Sequence, residues 1–383
     1  VNQRNIRVLS LLPVIGHPRD SKRIAMLRSE GFDVRAAAFT RPYHQGRMPD
    51  CDVTFLGHIE HGRYVSRLVK MMFAIPELRR LIRNADLIYA SGPDLGAFAQ
   101  IAALFLGKPV VIEVGDIRKI QVSRGLVGSA LRALETIVAN RASLLVSTTG
   151  AFMTEYYRNT LHVGTPYLVI ENKLEPGIDG PEPRKTGDFT IGYFGMLRCV
   201  TSWRILEALA ASMPTWNILV AGMAFQPPDI EKRIERLPNV KWLGEYKSPQ
   251  DLPQLYGQVD MIWASPFPGP DESNWRWARS NRFYEACHFR KPLIVYRGSG
   301  DGNAVRTYDI GIEIGGDSIE TNVREINAVS KDDIERWSRN MSEIEPSVYT
   351  LTDESTLLGE SLAMIVGRAY PAGKRRPALM DTE

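Results

Sequence analysis

The chain has 383 residues and 43.0 kDa, and 44% of it is hydrophobic, more than one core absorbs and enough to fill two. Its 47 basic residues against 44 acidic ones leave a formal net charge of +3, too even for nucleic-acid binding by bulk attraction. Cys51, Cys199 and Cys287 lie far apart, with no metal-ligand spacing and no even count for a disulfide framework, so a reducing, cytoplasmic compartment is expected. No apolar run approaches the roughly 18 to 20 residues that span a bilayer, and no signal-peptide pattern opens the chain.

In chain order, Ile6 to Leu12 reads as a strand, "PVIGHPRD" as a loop, and the stretch from about Asp20 to Gly31 as a helix with Ile24 and Leu27 inward. A strand follows at about Asp33 to Phe39. The rhythm repeats in "ADLIYAS", the helix "GPDLGAFAQIAALFLG", the strand "KPVVIEV", the helix "SALRALETIVANRA", the strand "SLLVST", the helix "GAFMTEYYRN" and the strand "PYLVIEN". Strand and helix in alternation predict a parallel, doubly wound sheet. "LEPGIDGPEPRKTGD" breaks the pattern with three prolines and no apolar period. Beyond it come "FTIGYFG", "SWRILEALAAS", "WNILVAG", "PDIEKRIERL", "VKWLG", "PQDLPQLYGQ", "DMIWAS", "NRFYEACHFR", "KPLIVY" and "GIEIG", a second series of the same kind. The expected organisation is a Rossmann-like domain over 1–173, a linker over 174–188, a second Rossmann-like domain over 189–350, and a terminal helix over 351–383 that packs across the domain junction and ends in a frayed tail.

Two such α/β domains facing a central cleft would bind ligands in the loops after their strands. In the second domain, "SNRFYEACHFRKPLIVY" starts a helix near Ser280 and sets Asn281, Arg282 and Glu285 on its first turns. A helix N-terminus favours an anion by about 0.3–1 kcal/mol when exposed. Arg282 adds a forked donor for phosphate, with Arg276 and Arg279 extending the cationic rim, and Glu285 can accept from ribose hydroxyls. Arg282 with Glu285 also reads as an ordinary surface ion pair. Gly195 and Arg198 in "IGYFGMLRCVTSW" suit close approach and neutralisation of a phosphate, and Gly244 and Tyr246 in "VKWLGEY" suit the border of a base pocket or a plain turn.

"WARSNRFYEACHFRKPLIV" resembles the carboxy-terminal signature S-P-N-K-x-x-E-y-x-a-x-G-x-P-v-I of GT-B glycosyltransferases, and "IGYFGML", "NVKWLGEYKSPQDLPQLYGQVDMIWAS" and "VIENKLEPGID" are similar to further segments of that superfamily. The likeness points to enzymes of bacterial exopolysaccharide and lipopolysaccharide assembly. It implies that Arg282 contacts the donor diphosphate and Glu285 the ribose. The chain departs from the pattern at Ser280, which precedes Asn281 without the usual proline, at Arg290, which replaces a small residue, and in lacking the usual Lys-Gly after the first loop of the second domain.

Sugar transfer needs a base for the acceptor hydroxyl and stabilisation of the leaving nucleotide. "KPVVIEVGDIRK" delivers Glu113 and Asp116 after a strand, and Asp116 is the expected general base, with a loop or capping carboxylate as the other reading. Some inverting GT-B enzymes look similar here, which implies a hexosyltransferase-type reaction with inversion. Gly16, His17, Arg19, Gly92, Asp94 and Glu113 are expected on the acceptor side, while Asp20 reads as a helix cap. "DCD" at Asp50 to Asp52 reads as a turn, and the histidines make no ligand pair, so neither metal nor cofactor is expected; the leaving charge falls to Arg198, Arg282 and helix N-termini.

The expected partners are a nucleotide-sugar donor and a glycan or lipid-linked acceptor, with no nucleic acid. "RYVSRLVKMMFAIPELRRLIR", residues 63–83, mixes cations with apolar residues and reads as a peripheral membrane contact or as a solvated helix with its apolar face inward. Two other functions compete with transfer: a nucleotide-sugar epimerase on the same frame, and a non-catalytic nucleotide-sugar-binding subunit. A dehydrogenase is disfavoured because no G-x-G-x-x-G follows the first strand.

Overall fold

The structure, a computed structural model, describes residues 6–40, 48–58, 64–182, 187–264, 267 and 274–367, with the side chains of 64–68 outside the description. The chain forms two compact units. One runs to Glu171 and is rejoined by the chain from Asp353; the other is Asn172–Thr352.

In the first unit, strands β1 (Arg7–Leu12), β2 (Asp33–Thr40), β3 (Asp52–His58), β4 (Leu87–Ser91), β5 (Val110–Val114), β6 (Leu144–Ser147) and β7 (Tyr167–Val169) lie parallel in the order β3-β2-β1-β4-β5-β6-β7. Every residue of β4, β5 and β6 is buried, as expected of strands covered on both faces. Helices α1 (Pro18–Ser29), α2 (Tyr64–Arg83), α3 (Pro93–Ala102), α4 (Lys119–Val122) and α5 (Leu126–Asn140) make the crossovers, and α3 packs against both α2 and α5. Ile24 and Leu27 of α1 join the core, as their spacing predicts. Two expectations are corrected. Asp50 to Asp52 is not simply a turn, since Asp52 begins β3, and "GAFMTEYYRN" forms the wider π-helical turns of Phe152–Arg158.

In the second unit, β8 (Thr190–Leu197), β9 (Asn217–Ala224), β10 (Val240–Trp242), β11 (Met261–Trp263), β12 (Leu293–Tyr296) and β13 (Gly311–Ile314) lie parallel in the order β10-β9-β8-β11-β12-β13. They alternate with α6 (Val200–Ser212), α7 (Ile230–Ile234), α8 (Leu252–Gly257), α9 (Asn274–Trp277), α10 (Asn281–Phe289), α11 (Gly300–Tyr308), α12 (Ile319–Asn327) and α13 (Lys331–Glu343). The doubly wound parallel architecture expected of each half is the one observed. Within the stretch 174–188, Leu174 lies in this unit's core and the Glu182 N–H donates to the Pro253 carbonyl. The last helix, α14 (Glu354–Ile365), places Leu358 and Leu362 in the first unit's core beside Ile24. The tail from residue 368 lies outside the described residues.

One buried carboxylate secures the segment that follows β5. Glu135 of α5 accepts from the Tyr156 hydroxyl (2.9 Å), the Tyr157 hydroxyl (2.6 Å) and the Gln121 amide (2.8 Å), while the Gln121 carbonyl accepts the Arg118 N–H. Glu135→Ala strands these buried donors, each worth about 1–3 kcal/mol when left unsatisfied. The variant is expected to unfold at a temperature lower by at least about 4 °C in a thermal melt. At the end of α10, Arg290 holds a left-handed φ of 55° where glycine is the usual helix terminator. Arg290→Gly relieves that strain and is expected to raise the melting temperature, by an amount corresponding to roughly 0.5–1 kcal/mol.

Candidate functional site

Polar groups gather toward the carboxyl end of each sheet. In the first, the loop after β1 carries Gly16 and brings His17 to the N-cap position of α1. Asp20, expected as that cap, does not cap: it sits inside the first turn, 2% exposed, accepting a 2.6 Å hydrogen bond from the Ser91 hydroxyl at the end of β4. Its other oxygen lies 3.6 Å from His17 Nδ1. Burial holds the His17 imidazole below its ordinary value, with Asp20 pulling upward, and burial lifts the Asp20 carboxyl, with His17 and then Ser91 pulling down. The pair is an imidazole steadied by a carboxylate that is itself steadied by a hydroxyl.

Glu113, expected to face an acceptor, is instead enclosed within β5, 1% exposed. Arg23 donates to one of its oxygens at 3.1 Å and the Tyr89 hydroxyl to the other at 2.7 Å. Because every residue of β5 is buried on one face or the other, the sequence carried no sign of which way this carboxylate points. Arg19 lies 3.7 Å from Glu113 and 3.7 Å from Asp116, whose side chain is 61% exposed just past the strand. A Cβ at Gly115 would fall 1.9 Å from the Arg19 guanidinium, so only glycine lets that group lie across the chain here. Gly92 is the N-cap of α3 and donates to the Glu113 carbonyl, while Asp94 meets Arg118 at 3.4 Å. The first unit therefore brings His17, Arg19 and Asp116 together and sets Glu113 beneath them as support.

In the second unit, Arg282 on the first turn of α10 donates to the Phe194 carbonyl at 2.7 Å. Its Nε is buried and has no hydrogen-bond partner among the described residues. A Cβ at Gly195 would lie 3.4 Å from this guanidinium and 3.8 Å from the Tyr246 hydroxyl. Glu285, 5% exposed, accepts from the Tyr256 hydroxyl at 2.7 Å. Burial raises the Tyr246 hydroxyl, Glu285 raises it further and Arg282 lowers it, so all three sense one another. Gly195, Tyr246, Arg282 and Glu285 are thus assembled at one place. Arg198 instead stacks its guanidinium on Trp275 at 5.1 Å, Arg279 covers Phe283 at 4.6 Å, and Asn281 is the exposed first residue of α10.

Three contributors were missed in the sequence. Gly222 lies near the end of β9, opposite Gly195, and a Cβ there would fall 1.9 Å from the Gly195 carbonyl oxygen, while its N–H donates to the Gly244 carbonyl. The signal was available, because "YFG", "VAG" and "WLG" each set a glycine after an apolar, strand-like run. Tyr256 carried no signal beyond its place in an amphipathic helix. Asp301, at the start of α11, accepts the Ser280 N–H at 2.9 Å and so fixes the entry to α10. Beside the glycine row an open hollow of about 340 Å³ is lined by Met223, Phe225, Trp242, Gly244 and Glu245.

Residues 23–172 match the glycosyl transferase 4-like domain. Over 335 residues the chain is 28% identical to the succinoglycan biosynthesis protein ExoL of Rhizobium meliloti (strain 1021), which covers 82% of this chain and 83% of that protein. Among solved structures, Anabaena Alr3699/HepE in complex with UDP and glucose superposes with a TM-score of 0.69 at 16% identity, over 95% of this chain and 100% of that one. WaaG, a glycosyltransferase involved in lipopolysaccharide biosynthesis, gives 0.67 at 15% identity, over 94% and 100%. The fold is GT-B, as the sequence resemblance implied.

The His17 and Asp20 pair sets a pH dependence. The unfolded chain protonates His17 near 6.5 while the folded chain resists, so the folded state binds fewer protons and loses stability as pH falls. Asp20 acts oppositely, because its raised carboxyl keeps a proton that the unfolded chain releases. In thermal melts between about pH 7.5 and pH 5, His17→Asn is expected to flatten the decline, and Asp20→Asn to steepen it by removing both the opposing contribution and the charge that favours the imidazolium.

Proposed function

We propose that this chain, a GT-B protein whose first unit matches a glycosyl transferase 4-like domain, moves a sugar from a nucleotide-diphosphate donor to a hydroxyl of a glycan or lipid-linked acceptor in polysaccharide assembly. The observation that carries the reading is Arg282: a guanidinium fixed to the end of β8 by the Phe194 carbonyl, with a buried Nε still to be satisfied beside Gly195. A diphosphate oxygen supplies the missing acceptor. Glu285, held by Tyr256, then meets the ribose, and the hollow at Met223, Phe225 and Glu245 takes the base. UDP is the nucleotide to try first, since HepE, of the same fold, is in complex with UDP and glucose.

In the reaction, the bond from the anomeric carbon to the donor phosphate oxygen breaks and a bond from that carbon to the acceptor oxygen forms. Asp116 receives the acceptor proton, with the Arg19 guanidinium 3.7 Å from it. The electron pair leaves with the nucleoside diphosphate, whose charge Arg282 and the N-terminus of α10 stabilise, with Arg198 at the rim; the reading assigns this task to arginines, with no metal or cofactor. Direct displacement by a hydroxyl that Asp116 activates gives inversion at the anomeric carbon. The protein would work in the cytoplasm against the inner membrane face, with residues 63–83 as one contact; among the described residues no helix is long and apolar enough to cross a membrane.

Arg282→Ala, with Arg282→Lys as a charge-retaining companion, is expected to weaken UDP binding in a thermal-shift titration by roughly 10–100-fold. Asp116→Asn should bind UDP as the unmodified chain does, yet transfer sugar about 10²–10⁴-fold more slowly. Equal UDP affinity in the Arg282 variants removes the donor assignment. Unchanged transfer by Asp116→Asn removes the base, and donor binding without turnover in the unmodified chain leaves a binding subunit.

A further inference from the structure

A nucleotide-diphosphate sugar carries its base at one end and its sugar at the other, so the two must lie on opposite sides of the diphosphate. In the sheet order β10-β9-β8-β11-β12-β13, the hollow proposed for the base lies beside Gly222 of β9 and Gly244 past β10, and Arg282 meets β8. Beyond β8, away from the base, comes β11, which pairs with β8 through Ile191 and Gly192. Adjacent strands lie about 4.8 Å apart, close to the width of one pyranose ring. The sugar therefore falls over the step from β8 to β11, where the chain sets Arg198 just past β8 and α9, "NWRW", past β11.

The side chains at this step suit a sugar rather than a phosphate alone. The Arg198 guanidinium lies over the indole of Trp275, 5.1 Å from its centroid, and Trp275 and Trp277 are both half-buried. Met196, Arg198 and Val200 are exposed while Leu197 and Cys199 between them are buried, so apolar groups flank the cation. Burial raises the Tyr193 hydroxyl and both Arg282 and Arg198 lower it, so the two arginines stand around one phenol. α9 itself is braced. The Ala278 N–H closes it by donating to the Asn274 carbonyl at 2.7 Å, and Asp301 holds the Ser280 N–H that follows. A Cβ at Gly300 would fall 2.3 Å from the Ala278 carbonyl oxygen, so the first turn of α11 presses against the exit of α9. An indole held in this way needs little ordering when a ligand arrives.

We propose that Trp275 is the platform for the donor's sugar, a neutral hexopyranose that lays its C–H face on the indole. A pyranose keeps its hydroxyls around the rim and presents C–H bonds on its faces, so it packs on an aromatic ring as an apolar group does. Arg198 then has a second task besides its charge at the diphosphate rim, since it fixes the ring on which the sugar rests. The platform presupposes that Arg282 holds the diphosphate, and it adds a residue that selects the transferred group. A Trp275 that served only to anchor Arg198 would affect every nucleotide alike. A platform affects only those that carry a sugar.

The test compares UDP with UDP-glucose and UDP-galactose in binding titrations of the full chain, taking whichever sugar nucleotide the unmodified chain binds better. Trp275→Ala should keep its UDP affinity within about twofold and lose about tenfold for the sugar nucleotide. Trp275→Phe, which keeps an aromatic face, should recover most of that loss. Saturation-transfer NMR should carry magnetisation from the unmodified chain to the sugar C–H protons, and less of it, relative to the uracil protons, from Trp275→Ala. An equal loss for UDP and the sugar nucleotide, or no loss for either, overturns the platform and leaves the donor reading of Arg282 standing. Failure of saturation to reach the sugar protons in the unmodified chain overturns the platform without recourse to a variant. Absence of UDP binding by the unmodified chain overturns the donor reading, and the platform with it.

Discussion

A single hydrogen bond, from the Arg282 guanidinium to the Phe194 carbonyl, joins the first turn of α10 to the second half of β8 and fixes the polar cluster of the second unit. A parallel sheet satisfies its backbone internally except where strands end. The pairing of β8 with β11 stops at Gly192, so the Phe194 carbonyl is available to orient a side chain that would otherwise wander. The neighbouring requirements sit around that bond. Gly195 beside the guanidinium holds a φ of 105° that side chains rarely adopt, Ser280 must start the helix where Asp301 holds its N–H, and Glu285 must be drawn aside by Tyr256.

The first unit meets the same constraint differently. Its buried Glu113 takes hydrogen bonds from Arg23 and Tyr89, so the polar group nearest the strand end is saturated from inside. Arg19 is left to reach across Gly115 toward Asp116, and Ser91 directs Asp20 to His17. Support and reactivity are thereby divided between carboxylates close together in the chain. Glu113 stabilises the end of the sheet, and Asp116 stands 61% exposed just past it beside Arg19.

Much of this was legible in residues. The strands buried on both faces stand out as apolar runs, and the glycines ending "YFG" and "WLG" marked loops that do lie together. β3 escaped because it is an edge strand with a mostly exposed, mixed-polarity sequence, and an edge needs no continuous apolar run. α11 escaped because its first turn, "GDGN", reads as a turn until Ser299 is seen capping it through the Gly302 N–H. Asp20 was misjudged because a carboxylate near a helix start is usually a cap; its true partner, Ser91, is far along the chain, a relation only the folded sheet supplies. The buried carboxylate of α5 was similarly hidden, since the periodicity there is that of an ordinary helix and burial alone decides which stripe faces inward.

The glycine row limits how this protein can diversify. With the Gly222 Cα pressed against the Gly195 carbonyl, no side chain can be introduced there without parting two paired strands, so the floor beneath the hollow is closed to variation. If the hollow takes the base as proposed, change in which nucleotide is accepted would come through the walls, at Met223, Phe225 and Glu245. Descendants of this chain that differ in donor should share an invariant floor and differ along its rim.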